Sequence, residues 1–311
     1  MISLKPTREG YVEGILQAGR ENDRVVVIEG DVSRSIGSAL FGEEFPERFF
    51  NLGASEQDML GEAAGLALAG FIPFVGTYGV FVAGRAWDQI RTSICYMNLN
   101  VKIAGAHGGV SVGPDGATHQ ALEDVALMRV LPNMHVLVPA DANQTRAAVL
   151  TSMNTAGPVY IRFGRNPVPQ IYPVDASVDI GKGHLLEEGS DITLVACGAM
   201  VSLALNAREI LFKQGISAGV IDMVSVKPLD HKLLIEQAQK TGAIVVAEDH
   251  QAIGGLFGAV AETLAIQHPV PVGVVAVRDS FGTSGTPAEV REEYKLTALV
   301  IVREAEKLLE K

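Results

Sequence analysis

The chain has 311 residues, more than one compact core usually holds, so two domains are expected. Hydrophobic residues make up 48% and charged residues 20%, which excludes a disordered chain. The net charge of −11 leaves no basic surplus with which to displace counterions from nucleic acid or an anionic membrane, so any phosphate binding must be local.

In chain order, a helical pattern over Arg8–Ala18 leads to the apolar run Val25-Val26-Val27-Ile28 and a turn at Gly30-Asp31, the signature of a buried parallel strand. The alternation repeats. Strands are expected at 49–52, 73–78, 101–104, 136–138 and 159–163, with helices at 56–69, 81–95, 119–129 and 142–153 between them. Strands alternating with helices specify a doubly wound α/β sheet, whose ligands lie beyond the carboxyl ends of the strands. Asp31, Tyr78 and the loop carrying His107 all follow strands directly.

Residues 63–84 carry no charge and could span a bilayer by length. Five glycines, Pro73 and a change from helix-like to strand-like composition near Gly70 instead specify a buried helix and strand. Between Arg165 and Gly183 the pattern lapses, and Pro167, Pro169 and Pro173 can continue neither a helix nor a central strand, which puts a domain boundary there. A second α/β unit follows, with strands at 192–196, 218–221, 244–247 and 272–277. Cys95 and Cys197, one in each unit and each beside apolar residues, read as buried free thiols of a reducing compartment. The start Met-Ile-Ser-Leu-Lys-Pro has no signal-peptide pattern, so a cytoplasmic location is expected.

Two segments carry chemistry. Residues 105–124 place His107, Asp115 and His119 on a loop with five glycines, which lets the backbone turn sharply and approach a ligand closely. Thr118 has Ala121 three residues on and forms no capping box, which points His119 toward a pocket. Upstream, Glu56 heads the unusually apolar helix. An acid at a helix N-terminus is ordinarily a dipole contact, but the surrounding apolar run favours a buried, functional carboxyl.

The segments Asn-Leu-Gly-Ala-Ser-Glu-Gln-Asp-Met (51–59), Asp-Gly-Ala-Thr-His-Gln (115–120), Pro-Ala-Asp-Ala (139–142) and Tyr-Ile-Arg-Phe-Gly-Arg (160–165), in this order and spacing, resemble the C-terminal half of the transketolases. These thiamine diphosphate enzymes move two-carbon ketol units. The resemblance covers nearly the whole chain and implies two doubly wound domains: a pyrimidine-binding domain at 1–168, a linker at 169–186 and a transketolase C-terminal domain at 187–311. Full-length transketolases begin with a diphosphate-binding domain bearing a Gly-Asp-Gly metal motif followed by an asparagine, and this sequence has no such element. The resemblance therefore implies the smaller subunit of a two-chain enzyme in a two-plus-two assembly. A partner chain would supply the diphosphate site and the Mg2+ or Ca2+, and this chain would contribute no metal ligand.

Residue by residue, the resemblance makes Glu56 the carboxyl that bonds the pyrimidine ring nitrogen, Phe81 the aromatic stacked on the ring, and Tyr78 and Asp31 further cofactor contacts. Core packing accounts equally well for Tyr78, and a turn role for Asp31. Gly84 departs from the family, where larger transketolases carry a third aromatic. His119 and Asp115 match residues that hydrogen-bond the sugar hydroxyls, His119 also assisting proton transfer. His107, Arg165, Arg8 and Ser35 match the holders of the terminal phosphate. Each has a plainer alternative: a solvated helix residue at Arg8, a turn former at Ser35, and Arg162 in place of Arg165 as the inward-facing guanidinium.

The run Ala-Glu-Asp-His-Gln-Ala-Ile-Gly-Gly-Leu-Phe-Gly (247–258) fails the dinucleotide spacing, so Glu248 and His250 read as structural or interface residues. The expected activity is transfer of a ketol group from a ketose phosphate to an aldose phosphate. The alternatives are a 1-deoxyxylulose-5-phosphate synthase-like or 2-oxo acid dehydrogenase beta-type subunit, which decarboxylates a 2-oxo acid, and a regulatory subunit without catalysis.

Overall fold

The run Val25–Glu29 is buried at every position, as a strand covered by helices on both faces requires, and each fully buried Val or Ile there contributes roughly 1.5–3 kcal/mol. In the computed structural model, which describes residues 3–310, this strand lies in a seven-stranded sheet. The spatial order is Ser225–Lys227, His135–Leu137, Val159–Arg162, Lys102–Ala106, Ile72–Tyr78, Val25–Glu29 and Phe49–Asn51. All neighbours are parallel except the first pair. A second sheet runs Val272–Val277, Ile244–Gln251, Ile192–Ala196, Ala218–Asp222 and His184–Glu187, parallel except at that last edge. Leu4–Pro6 and Pro167–Pro169 form a small antiparallel ribbon.

The helices Thr7–Glu21 and Ala142–Met153 pack closely on one face of the first sheet. Their contact depends on Gly10, where a Cβ would stand 1.9 Å from the Ala142 carbonyl oxygen. This packing sets the first helix so that Arg8 lies beside the ends of the strands. The charge-free stretch 63–84 folds as the end of helix Glu56–Leu68, the buried strand Ile72–Tyr78 and the start of helix Gly79–Arg85. Among the described residues no helix is long and apolar enough to cross a membrane, and Cys95 and Cys197 are buried free thiols.

Three local expectations need correction. The single helix expected over 81–95 is instead Gly79–Arg85, a turn at Trp87–Gln89 and a π-helical segment Ile90–Cys95, interrupted where Ala86 leaves helical geometry at φ −107°, ψ 17°. The helix expected over 119–129 begins only at Asp124, so His119 stands on the loop and not on a helix. Finally Ser225–Lys227, from the later part of the chain, pairs antiparallel with His135–Leu137 and completes the first sheet. Three residues cannot show a period, and the two sheets are consequently more closely joined than the sequence pattern implies.

Candidate active site

Six parallel strands end on one side of the first sheet, and the candidate residues follow the ends of five of them, at Glu29, Asn51, Tyr78, Ala106 and Arg162. Glu56 is the first residue of its helix and is 4% exposed, so its carboxyl sits in the positive field of the helix N-terminus while shielded from water. It lines a cleft of ≈ 550 Å³ with Ala54, Ser55, Gln57, Asp58 and Arg85. Nη1 of Arg85 lies 3.5 Å from Glu56 Oε1 and 3.4 Å from Oε2. The same guanidinium lies over the face of Phe81, 4.1 Å from the ring centroid. Gln57 donates from Nε2 to the Arg85 carbonyl at 3.0 Å and ties the two helices together. Arg85 thus stands between a buried carboxyl and a flat aromatic face.

Sequence reasoning misses Arg85, although it is the first charge after the uncharged stretch. Gly84 leaves open space: nothing lies within 4 Å of a Cβ built there. Arg85 flanks Phe81.

The second group of residues is held by a junction of loop and strand ends. Gly108 N donates to the Phe163 carbonyl at 3.1 Å, Arg8 N to that of Gly164 at 3.2 Å, and Gly164 N to Thr7 Oγ1 at 2.7 Å. These bonds gather the heads of the first helix, the His107 loop and the Arg165 segment. Arg8 Nη1 donates to the Ser35 carbonyl at 2.7 Å, and Ser35 Oγ lies 2.9 Å from the Tyr78 hydroxyl. Tyr78 stacks on Phe81 at 5.8 Å and packs against His107 at 4.5 Å and His119 at 5.9 Å between ring centroids. His119 meets the edge of Phe81 at 5.3 Å, its Nδ1 2.9 Å from Thr118 Oγ1. Arg165 pairs with Asp115 at 3.1 Å on the exposed rim.

His107 is the most constrained member. Its backbone is left-handed at φ 57°, its side chain is fully buried, and among the described residues neither ring nitrogen has a hydrogen-bond partner. Burial, reinforced by the charges of Arg165 and Arg8, holds its imidazole down to about 3, so it is neutral at physiological pH. Two unpaired nitrogens on a buried, strained histidine beside two arginines are what a ligand would satisfy.

The structure thus links Glu56 and Phe81 through Arg85, and sets Tyr78, His107, His119, Ser35, Arg8, Asp115 and Arg165 around the adjoining strand ends. Asp31 stands apart. It is exposed at φ 63°, and it bonds Asn51, its amide donating to Asn51 Oδ1 at 3.0 Å and its Oδ1 accepting from Nδ2 at 3.4 Å. Asn51 Oδ1 also accepts from Gly53 N at 3.1 Å and so shapes the turn leading to Glu56. Sequence reasoning misses Asn51 too, a turn-forming type that carries no distinguishing signal. Of the two arginines, Arg162 is the inward-facing one, bonding Asp124 at 2.9 Å in the interior, while the Arg165 side chain is exposed beside Asp115.

Glu248 and His250 also lie in the interior. Glu248 accepts from the amides of Leu256 at 2.8 Å and Phe257 at 2.9 Å, capping helix Leu256–Gln267. His250, held by burial down to about 4, uses Nδ1 on the Gln251 carbonyl at 2.7 Å. Among the described residues no group of three His, Cys, Asp or Glu side chains is arranged to hold a metal ion.

Residues 5–170 match the family described as transketolase, pyrimidine binding domain, and residues 181–301 that described as transketolase, C-terminal domain. The chain is 42% identical over 295 residues to a putative transketolase C-terminal section of Methanocaldococcus jannaschii, covering 94% of this chain and 92% of that one. It is 40% identical over 304 residues to a 6-deoxy-6-sulfo-D-fructose transketolase subunit of a Clostridium species, with 98% and 94% covered. A solved structure described as a split gene transketolase, inactive β4 tetramer, resembles it with a TM-score of 0.90 and 49% identity over 98% of both chains.

Proposed function

This chain belongs to the transketolase family, and from that premise we propose that it acts with a separate chain to transfer a two-carbon ketol group from a ketose phosphate to an aldose phosphate. The partner would carry the diphosphate and Mg2+ or Ca2+ site, and the two chains would assemble two-plus-two. The observation that carries the reading is the junction of two half-sites: Glu56 joined to Phe81 through Arg85, and Phe81 in turn packed against His119 and against Tyr78, which abuts His107. The relative described as an inactive β4 tetramer supports a need for the partner.

Bound thiamine diphosphate supplies the electron sink that lets a carbon–carbon bond beside a carbonyl break and re-form. Glu56 would hold the pyrimidine ring nitrogen through a shared proton, and Phe81 would supply the stacking face. Tyr78 backs that face through Phe81, and Asp31 orders the neighbouring turn through Asn51. His119 exchanges a proton with a sugar hydroxyl while Asp115 orients that hydroxyl. Arg8 and Arg165 supply charge for the distal phosphate, with Ser35 and the neutral His107 adding hydrogen bonds. A substrate end carrying two or more negative charges suits two guanidiniums beside an uncharged imidazole.

The test is an assay of the chain reconstituted with a diphosphate-binding partner, given xylulose 5-phosphate in one arm and pyruvate in the other. Ketol transfer from the sugar, with the isolated chain inactive, is the expected result. Turnover of pyruvate alone would assign the chain to the decarboxylating alternative, and full activity without a partner would remove the two-chain reading.

A further inference from the structure

The loop at 107–120 carries His107, Asp115 and His119, yet it has little internal means of holding a shape. Val110–Asp115 is a 3-10 stretch broken at Gly113, and Gly109, Gly113 and Gly116 adopt φ values of 87°, 77° and 73°. Its backbone is tied down at one end, where Gly108 N donates to the Phe163 carbonyl at 3.1 Å and Gly109 N to that of Ala121 at 2.9 Å. Unsupported, such a loop would lose the geometry of its side chains to conformational entropy.

Asn166 Nδ2 donates to the Ser111 carbonyl, and further support comes from the C-terminal half. Val110 N donates to Asp249 Oδ1 at 2.9 Å, and buried Gln120 donates from Nε2 to the Thr283 carbonyl at 2.9 Å and to the Val110 carbonyl at 3.0 Å. Gln251 N donates to the Leu122 carbonyl at 2.9 Å. Arg162 Nη2 bridges the two halves, donating to the carbonyls of Ala121 at 2.8 Å and Asp249 at 2.9 Å. The loop glycines are the points of closest approach. A Cβ at Gly109 would stand 2.2 Å from Asp249 Oδ2, one at Gly116 2.4 Å from Ser284 Oγ, and one at Gly113 3.1 Å from the Gly285 carbonyl oxygen.

We infer that Asp249 is a positioning residue for sugar phosphate binding: it fixes the Val110 amide, and through it the loop that presents His107 and His119 to the substrate. The inference rests on the ketol-transfer reading above. It gives the C-terminal half, which supplies none of the candidate site residues, a direct part in substrate recognition. Asp249 is the suitable probe because Arg162 keeps its bonds to Asp124 and to the two carbonyls when the Asp249 side chain is removed. Removing Arg162 itself would strand the buried Asp124 charge.

The experiment compares Asp249→Ala and Asp249→Asn with the natural chain, using amide exchange on the full chain and steady-state kinetics on the reconstituted complex. In Asp249→Ala, exchange across 107–122 should quicken while 56–68 stays unchanged. The KM for the ketose phosphate should rise by about tenfold or more, with the affinity for thiamine diphosphate held. Asp249→Asn keeps an acceptor oxygen and should restore both values. Unchanged exchange in 107–122 overturns the inference, as does faster exchange with an unaltered KM. So does a lowered Tm in which the folded enzyme keeps its natural KM. If Asp249→Ala fails to fold, Gly109→Ala drives the same contact apart from the loop side and is read by the same outcomes. The exchange arm needs no turnover, so a complex that never transfers ketol groups would defeat the functional reading while the loop result still stood on its own.

Discussion

The two halves of the candidate site are built differently. Glu56 and Phe81 stand at the heads of helices that follow strands, and their positions are set by elements that would form on any version of this sheet. His107, Asp115 and His119 stand on a glycine-rich loop whose shape is set by bonds to distant parts of the chain. The first half is a property of local structure and the second of tertiary structure. Loss of one carboxyl should therefore silence the first, whereas the second should fail gradually as individual contacts are removed.

The sharpest way to break this contrast is Glu56→Gln. It keeps shape and burial but removes the ability to share a proton, so turnover of the reconstituted complex should fall by roughly 10²- to 10⁴-fold, the usual span for a general acid–base group. The Tm should hardly move. Near-natural turnover would remove Glu56 from the chemistry.

A smaller and different loss is expected at Arg165→Ala. A charge-assisted hydrogen bond contributes about 1.5–3 kcal/mol, so the KM for a phosphorylated ketose should rise by roughly ten- to a hundredfold, with much less change for an unphosphorylated ketose. Equal losses for both sugars would show that Arg165 does not read the phosphate.

The contrast also explains what the sequence discloses. The apolar run at Val25–Glu29, the helix Ala142–Met153 and the strand Ile192–Ala196 are readable because a strand or helix writes its period locally. Glu56 is readable as a lone acid heading an apolar helix. His119 is recognisable as a site residue yet misplaced onto a helix, because the apolar pattern that begins at Val125 extends backward across a loop. Arg85, Asn51, Gln120 and Asp249 escape notice as parts of the site, and Arg162 enters only as an alternative to Arg165. Gln120 reaches Thr283 and Val110 reaches Asp249, and separations of that size leave no trace in a local pattern. The Ser225–Lys227 strand is hidden for the same reason.

Below both half-sites, the shared sheet offers a third test. Glu29 is fully buried, accepts a hydrogen bond from Ser38, and is pushed by burial up to about 8. Its folded-state value lies above the 4.5 of an exposed glutamate, so between those values the folded chain holds a proton that the unfolded chain has lost. Stability from this group therefore falls as pH rises from about 4.5 through 8. Glu29→Gln cannot titrate. Its stability relative to the natural chain should climb across that window, by at most about 1.4 kcal/mol for each step of one in pH, in urea unfolding followed over a pH series. Parallel curves for the two chains would show that Glu29 titrates normally.

The smallest effect expected is none at all. His107 stays neutral down to about 3, so phosphate binding between about pH 6.5 and 8 should show no step from His107. A histidine titration that appears there and disappears in His107→Gln would mean that the side chain is far better solvated than its burial implies.

The central claim is that the Glu56 carboxyl and the Phe81 face together hold the cofactor's pyrimidine ring. A structure of the reconstituted complex with thiamine diphosphate measures it directly. The distance from the ring nitrogen to a Glu56 oxygen should be about 2.6–3.2 Å, with Arg85 moved off the Phe81 face. A ring seated elsewhere, or one whose nitrogen is bonded by another group while Glu56 keeps its Arg85 contact, would contradict it.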